Sequence, residues 1–117
     1  MAVNDGTYII VSALNTARAL DCVGGSEANG ANVRIYNRSD GDSQLVHVTT
    51  NSDGTRRIIF ALSGKSVDVS DGTFADGKNV QQYANNSTGA PKWSFVDAGS
   101  TVAVDGTELE LYKIQNS

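Results

Sequence analysis

The chain has 117 residues, 39% of them hydrophobic, and a formal net charge of −4, so one acidic domain is expected over 1–117. An acidic chain lacks the basic patch that nucleic-acid binding needs, and anionic membranes repel it. No stretch approaches the roughly 18 consecutive apolar residues of a spanning helix, and the first residues lack the features of a secretory signal. Since Cys22 and His47 are the only cysteine and histidine, we expect no internal disulfide, metal site, cofactor or His- or Cys-dependent catalysis.

The predicted elements are short β-strands separated by turns. Asp-Gly-Thr occurs four times, and Asp-Gly favours tight turns because both residues tolerate positive φ. Apolar alternation and β-branched runs are typical of strands, and no window sustains a helical period. In chain order, the ten predicted strands are 7–14, 18–22, 32–37, 44–50, 56–62, 65–69, 79–84, 92–97, 101–104 and 108–114.

An internal duplication organises these strands. Gly-Ala-Asn-Val-Arg-Ile-Tyr at 30–36 corresponds to Gly-Lys-Asn-Val-Gln-Gln-Tyr at 77–83, and Asp21 and Asp68 have the same spacing of 47 residues. Leu-Glu-Leu-Tyr at 109–112 corresponds to a third copy, but it follows its counterpart by only 29 residues. The predicted units are 6–52, 53–98 and a truncated 99–117, each full unit having four strands.

The run from 67 to 83 carries a recognisable pattern: an aspartate on a strand, an Asp-Gly loop, a second glycine and then Gln-x-aromatic. This pattern resembles the ricin-B-type lectin family, which is also known as a family of bacterial carbohydrate-binding modules. The resemblance extends over 6–98. It implies an all-β fold, the β-trefoil, with a truncated third unit, glycans as partners and an extracellular or cell-surface location.

The sequence departs from the family at the Gln-x-Trp motif that normally ends each unit and contributes to the core. Unit one keeps only the glutamine of this motif, at Gln44, and unit two keeps only the tryptophan, at Trp93, which we expect in the core. The third unit has no such motif. Two alternatives stay open for the short third unit: it closes the barrel by itself, or a second copy in a homo-oligomer fills the gap.

The resemblance also implies one sugar site in each unit. A pyranose packs its C–H face on an aromatic ring, donates hydroxyls to a carboxylate, and is oriented by a side-chain amide. Residues 81 and 83 are two apart on a strand and so share a face, while Gln82 points to the other side. The predicted ligand-binding residues are Asp68, Gln81, Tyr83 and the loop aromatic Phe74 in unit two, Asp21, Arg34 and Tyr36 in unit one, and Glu110 and Tyr112 in unit three.

The sequence therefore predicts a carbohydrate-binding module for galactose-type or related glycans, with no catalytic residues. The alternative is a protein-interaction trefoil that has lost sugar binding, such as an inhibitor, a toxin component or an assembly module. The altered Gln-x-Trp motifs and the short third unit favour this alternative. A protein partner that free sugar does not displace would distinguish it from a lectin.

Overall fold

The computed structural model describes residues 3–72, 75–86 and 88–116, which form antiparallel strands and three short 3-10 turns. None of the helical segments in these ranges is long and apolar enough to cross a membrane. The strands are β1 (Gly6–Ile9), β2 (Arg18–Cys22), β3 (Val33–Asn37), β4 (Leu45–Thr50), β5 (Arg56–Phe60), β6 (Ser66–Val69), β7 (Val80–Tyr83), β8 (Trp93–Val104) and β9 (Thr107–Asn116).

The strands form one large sheet and one separate hairpin. The large sheet follows the order β1-β4-β5-β6-β7, with β8 pairing with β5 and β9 pairing with β8, while β2 and β3 pair with each other. In the described part of the chain, β1 pairs only with β4 and β9 only with β8. Each of these two strands therefore keeps one edge without a strand partner.

The hairpins β2–β3 and β6–β7 have the same register, as the duplication predicts. Asp21 lies opposite Arg34 in the first hairpin, and Asp68 lies opposite Gln81 in the second. Directly opposed residues of an antiparallel pair project from the same face of the sheet. The fold thus places each predicted aspartate beside the predicted polar residue of its own unit.

The core lies under the large sheet, where β-branched and aromatic residues of several strands meet. Ile58, Phe60, Val67 and Trp93 belong to one buried cluster. The indole Nε1 of Trp93 donates a hydrogen bond to the Val67 carbonyl at 2.9 Å, so its polar atom is paired inside the core. The prediction that Trp93 is a core residue is confirmed.

The predicted strand 7–14 is too long. The observed strand β1 ends at Ile9, and Val11 forms only an isolated bridge. The Ser12 hydroxyl accepts a hydrogen bond from the Leu14 amide, and the Asn15 carbonyl accepts one from the Arg18 amide. These local bonds form a turn where the sequence pattern predicted further strand.

The predicted strands 92–97 and 101–104 are one continuous strand, so the described residues form nine strands where the sequence predicted ten. The register shifts between Asp97 and Thr101, which marks a β-bulge. Gly99 has a φ of 79°, and its amide donates to Asp97 Oδ1 at 2.8 Å. The segment 98–100, which the predicted strands leave as a break, instead contains a bulge through which one strand continues.

Candidate functional site

The unit-two site is built on the hairpin β6–β7. Asp68 projects from β6 with only 3% of its surface exposed, and Gln81 lies directly opposite on β7. The amide Nε2 of Gln81 donates to Asp68 Oδ1 over 3.4 Å, which is long for a hydrogen bond. Tyr83 follows two residues after Gln81 and is 41% exposed. The structure therefore brings the predicted carboxylate, amide and phenol together on one hairpin.

The second carboxylate oxygen of Asp68 is unsatisfied. Its Oδ2 is buried and has no hydrogen-bond partner among the described residues. Burial disfavours the charged form and raises the pKa of Asp68, an effect that the hydrogen bond from Gln81 partly offsets. A buried acceptor left unpaired costs about 1–3 kcal/mol, so unit two carries a stability cost that a hydroxyl donor would relieve.

The aspartate of unit one is fully paired. Asp21 Oδ2 accepts a hydrogen bond from Arg34 Nε at 2.8 Å, and Asp21 Oδ1 accepts one from the Ser43 hydroxyl at 2.8 Å. The Arg34 guanidinium also lies over the Tyr36 ring, with Cζ 3.7 Å from the ring centroid. Asp21, Arg34 and Tyr36 are therefore together as predicted, but the arginine covers one face of the tyrosine ring.

Two substitutions between the units account for this difference. Gln81 stands 47 residues after Arg34, and Ala90 stands 47 residues after Ser43. A neutral amide at longer range thus replaces the arginine, and a methyl group replaces the hydroxyl donor. The motif alone did not identify Ser43, although an extended alignment of the two units would have.

The predicted residues of unit three, Glu110 and Tyr112, contact each other. The Tyr112 hydroxyl donates to Glu110 Oε2 at 2.7 Å. This hydrogen bond, burial and the negative charges of Glu110 and Asp97 raise the pKa of Tyr112 to about 12. Thr101 lies opposite Glu110, at the position where the other two hairpins carry aspartate. Unit three therefore has a different arrangement of polar groups.

Unit one also borders the unit-two site. Asn32 forms an isolated bridge with Gln81, and a Cβ atom at Gly30 would lie 3.9 Å from Gln81 Oε1. The φ of +84° at Gly30 is one that residues with side chains rarely adopt. The repeat pattern did not predict this contact between units. Phe74, predicted to line the site, lies outside the described residues.

An apolar groove of about 770 Å³ separates β1 from the β8–β9 hairpin. Ile35 and Leu109 in its lining are 54% and 46% exposed. Residues of β1 and β9 line this groove, and each of these strands pairs with only one other strand in the described part of the chain. Its principal apolar lining residues are Tyr8, Ile10, Ile35, Phe95, Val102 and Leu109.

Comparisons with known proteins agree on the type of domain. The ricin-type β-trefoil lectin domain-like family matches residues 1–83. ThreeFoil, a designed threefold symmetric protein, is 32% identical with a TM-score of 0.77, and the match covers 92% of this chain and 78% of ThreeFoil. None of the curated protein sequences matches the chain significantly.

Two natural proteins have the same architecture. An exo-β-1,3-galactanase from Clostridium thermocellum is 27% identical with a TM-score of 0.80, and the match covers 99% of this chain but 23% of the enzyme. The agglutinin of Rhizoctonia solani is 19% identical with a TM-score of 0.75, over 92% of this chain and 72% of the agglutinin, which shows the fold alone.

These matches confirm the predicted all-β fold as a β-trefoil and support carbohydrate binding as the general function. The family match spans most of the chain, including both hairpins that carry an aspartate opposite a polar residue. The chain belongs to the family of ricin-type β-trefoil lectin-like domains.

Proposed function

We propose that unit two binds a galactose-type or related glycan without converting it chemically. Asp68 accepts hydrogen bonds from sugar hydroxyls, Gln81 orients the sugar by donating and accepting, and the exposed ring of Tyr83 packs on its C–H face. The three side chains belong to one hairpin, so they keep their relative positions without help from a mobile loop.

The observation that carries this proposal is the Oδ2 of the buried Asp68, which has no hydrogen-bond partner among the residues that the structure describes. A sugar hydroxyl can supply the missing donor, and the bond is strong because the acceptor is charged. Oδ2 is buried, so binding requires a neighbouring side chain to move. Gln81 can do so at low cost, because its contact with Asp68 Oδ1 is long at 3.4 Å.

The class of sugar is inferred from a relative. The Clostridium thermocellum enzyme that matches 99% of this chain is an exo-β-1,3-galactanase, so galactose and β-1,3-galactan oligosaccharides are the first ligands to test. A single shallow site of this kind binds weakly, and tight attachment would need several sites acting together. Glu110 and Tyr112 are the groups that unit three could contribute.

Titration of the isotope-labelled protein with galactose and a β-1,3-linked galactobiose, followed by NMR, tests the proposal. We expect the amide signals of Gln81 and Tyr83 to shift in a saturable way, and Asp68→Asn or Tyr83→Ala to reduce affinity at least about tenfold. Asp105→Asn is the matched control for charge, because Asp105 pairs with Arg38 instead. A glycan array without binding, together with unshifted signals, would refute the lectin function.

The apolar groove favours protein interaction as the second candidate function. Its exposed side chains, such as Ile35 and Leu109, offer an apolar surface to a protein partner. Under this alternative, a partner would stay bound in excess galactose, and Asp68→Asn would not weaken the complex. Under the lectin function, free sugar would displace the bound ligand.

A further inference from the structure

The guanidinium of Arg34 in unit one is held in place but only partly used. Its Nε donates to Asp21, and its Cζ lies over the Tyr36 ring, 3.7 Å from the ring centroid. No hydrogen bond within the described part of the chain involves its terminal nitrogens Nη1 and Nη2, and the side chain is 34% exposed. Arg34 therefore presents two unused donors on a fixed, flat group at the position where unit two has an amide.

A pair of parallel N–H donors on a planar guanidinium matches the two oxygens of a carboxylate. Fixing the arginine beforehand lowers the entropy that a ligand must overcome to use it. Asp21 and Tyr36 provide this fixation from two directions, one through a 2.8 Å hydrogen bond and the other through ring stacking. The arrangement is thus suited to an anionic group more than to the C–H face of a neutral sugar.

We propose that unit one binds an acidic sugar, specifically a hexuronic acid, through the free Nη1 and Nη2 of Arg34. This inference rests on the proposed glycan binding. It assigns a neutral sugar to unit two and a uronate to unit one. The negative charge of Asp21 offsets part of the attraction, and the site is partly open to solvent. The affinity is therefore low and falls as salt concentration rises.

Galactose and galacturonate form a matched pair of probes, because they differ only at C6, which is a hydroxymethyl group in galactose and a carboxylate in galacturonate. In NMR titrations, we expect galacturonate to shift the amide signals of Arg34 and Tyr36, with an affinity about tenfold above that of galactose at the same signals. Titration with a sulfated galactose is a second test. It distinguishes a site that prefers a planar carboxylate from a site that accepts any anion. Raising the salt concentration should weaken the uronate response.

The decisive variant is Arg34→Gln, which places in unit one the residue that unit two has. We expect it to abolish the galacturonate shifts at Tyr36 while leaving the galactose shifts at Tyr83 intact. Arg18→Gln is the matched control: it makes the same charge change on the opposite face of the same hairpin and should leave both responses intact. Dispersed amide spectra of each variant establish that it is folded.

The outcomes separate the two proposals. Galactose shifts in unit two without any galacturonate shift in unit one would overturn this inference and leave the proposed function intact. A galacturonate response that survives Arg34→Gln would also overturn it, as would an equal response to the sulfated sugar. The absence of any response to all sugars would refute the proposed function, and this inference with it.

Discussion

Ser43 and Ala90 occupy the same position in their two units, 47 residues apart, and only Ser43 donates a hydrogen bond to the aspartate beside it. The serine hydroxyl lies 2.8 Å from Asp21 Oδ1, while the corresponding aspartate, Asp68, keeps an oxygen without a partner among the described residues. The two duplicated aspartates thus differ in their hydrogen bonding. Both oxygens of Asp21 accept hydrogen bonds from side chains of unit one, whereas Asp68 can gain a donor from a ligand.

The same amide substitution should have opposite effects on stability in the two units. Asp68→Asn removes a buried, poorly compensated charge, so we expect the free energy of unfolding at pH 7 to rise by about 1 kcal/mol. Asp21→Asn removes the negative charge that pairs with Arg34, and we expect a loss of about 1–2 kcal/mol. Urea denaturation of both variants measures this contrast, and equal shifts would contradict the assigned hydrogen bonding.

The sign of the Asp68 effect also predicts its pH dependence. The folded-state pKa of Asp68 is raised above its ordinary value of 3.8. Between the ordinary pKa and the raised folded-state pKa, the folded state therefore binds more protons than the unfolded state. The free energy of unfolding contributed by this group falls as the pH rises through that interval. We expect the advantage of Asp68→Asn to be present at pH 7 and absent at pH 3. A constant difference between the two proteins across this range would be inconsistent with burial of the charged form.

Ala90→Ser should transfer the hydrogen bonding of unit one to unit two. A serine at this position offers its hydroxyl to Asp68 as Ser43 does to Asp21, and a bond to a buried acceptor contributes about 1 kcal/mol. We expect Ala90→Ser to stabilise the protein and to weaken galactose binding several-fold, because the ligand must then displace an internal donor. Calorimetric titration and thermal unfolding report the two effects, and tighter binding in the variant would argue against this role of Oδ2.

As the pH is lowered, galactose affinity should begin to fall at a higher pH than it would if Asp68 had an ordinary aspartate pKa. The ionised Asp68 is the stronger acceptor for sugar hydroxyls, and its raised pKa means that protonation begins at a higher pH. We expect affinity to fall as pH decreases towards and through this raised pKa. NMR titrations at a series of pH values measure the profile, with the response of unit one as an internal comparison.

The sequence predicted the all-β fold because it depends on local patterns and on the repeat, and the repeat also indicated that Asp68, Gln81 and Tyr83 belong together in unit two, where they lie on one hairpin. It also predicted that Gln82 points away from Tyr83, and Gln82 is indeed fully buried. The partners of Gln82 could not be predicted: its amide donates to the Ser26 and Ala28 carbonyls of unit one. Comparing units with each other shows which positions are equivalent but not which surfaces meet.

The arginine stacked on Tyr36 escaped prediction for a related reason. Alternation indicated that residues 34 and 36 share a face, but it does not distinguish two side chains that both contact a ligand from two that contact each other. That choice depends on Asp21, which anchors Arg34 at 2.8 Å. The bulge at Gly99 was missed because glycine followed by serine is equally typical of a turn between two strands.

The unpartnered edges of β1 and β9 lead to a prediction about association. Exposed strand edges readily pair with another chain, and here they border an apolar groove. We propose that a second copy of the chain covers the groove, and we expect light scattering at high concentration to give about twice the monomer mass of 12.3 kDa.

Leu109→Glu tests this association, because Leu109 is 46% exposed in the groove and a buried charge there would oppose contact. Leu14→Glu is the matched control, since Leu14 is 97% exposed and is not among the residues that line the groove. We expect Leu109→Glu to shift the protein towards monomer and Leu14→Glu to leave its mass unchanged. A chain that stays monomeric at every concentration would contradict this association.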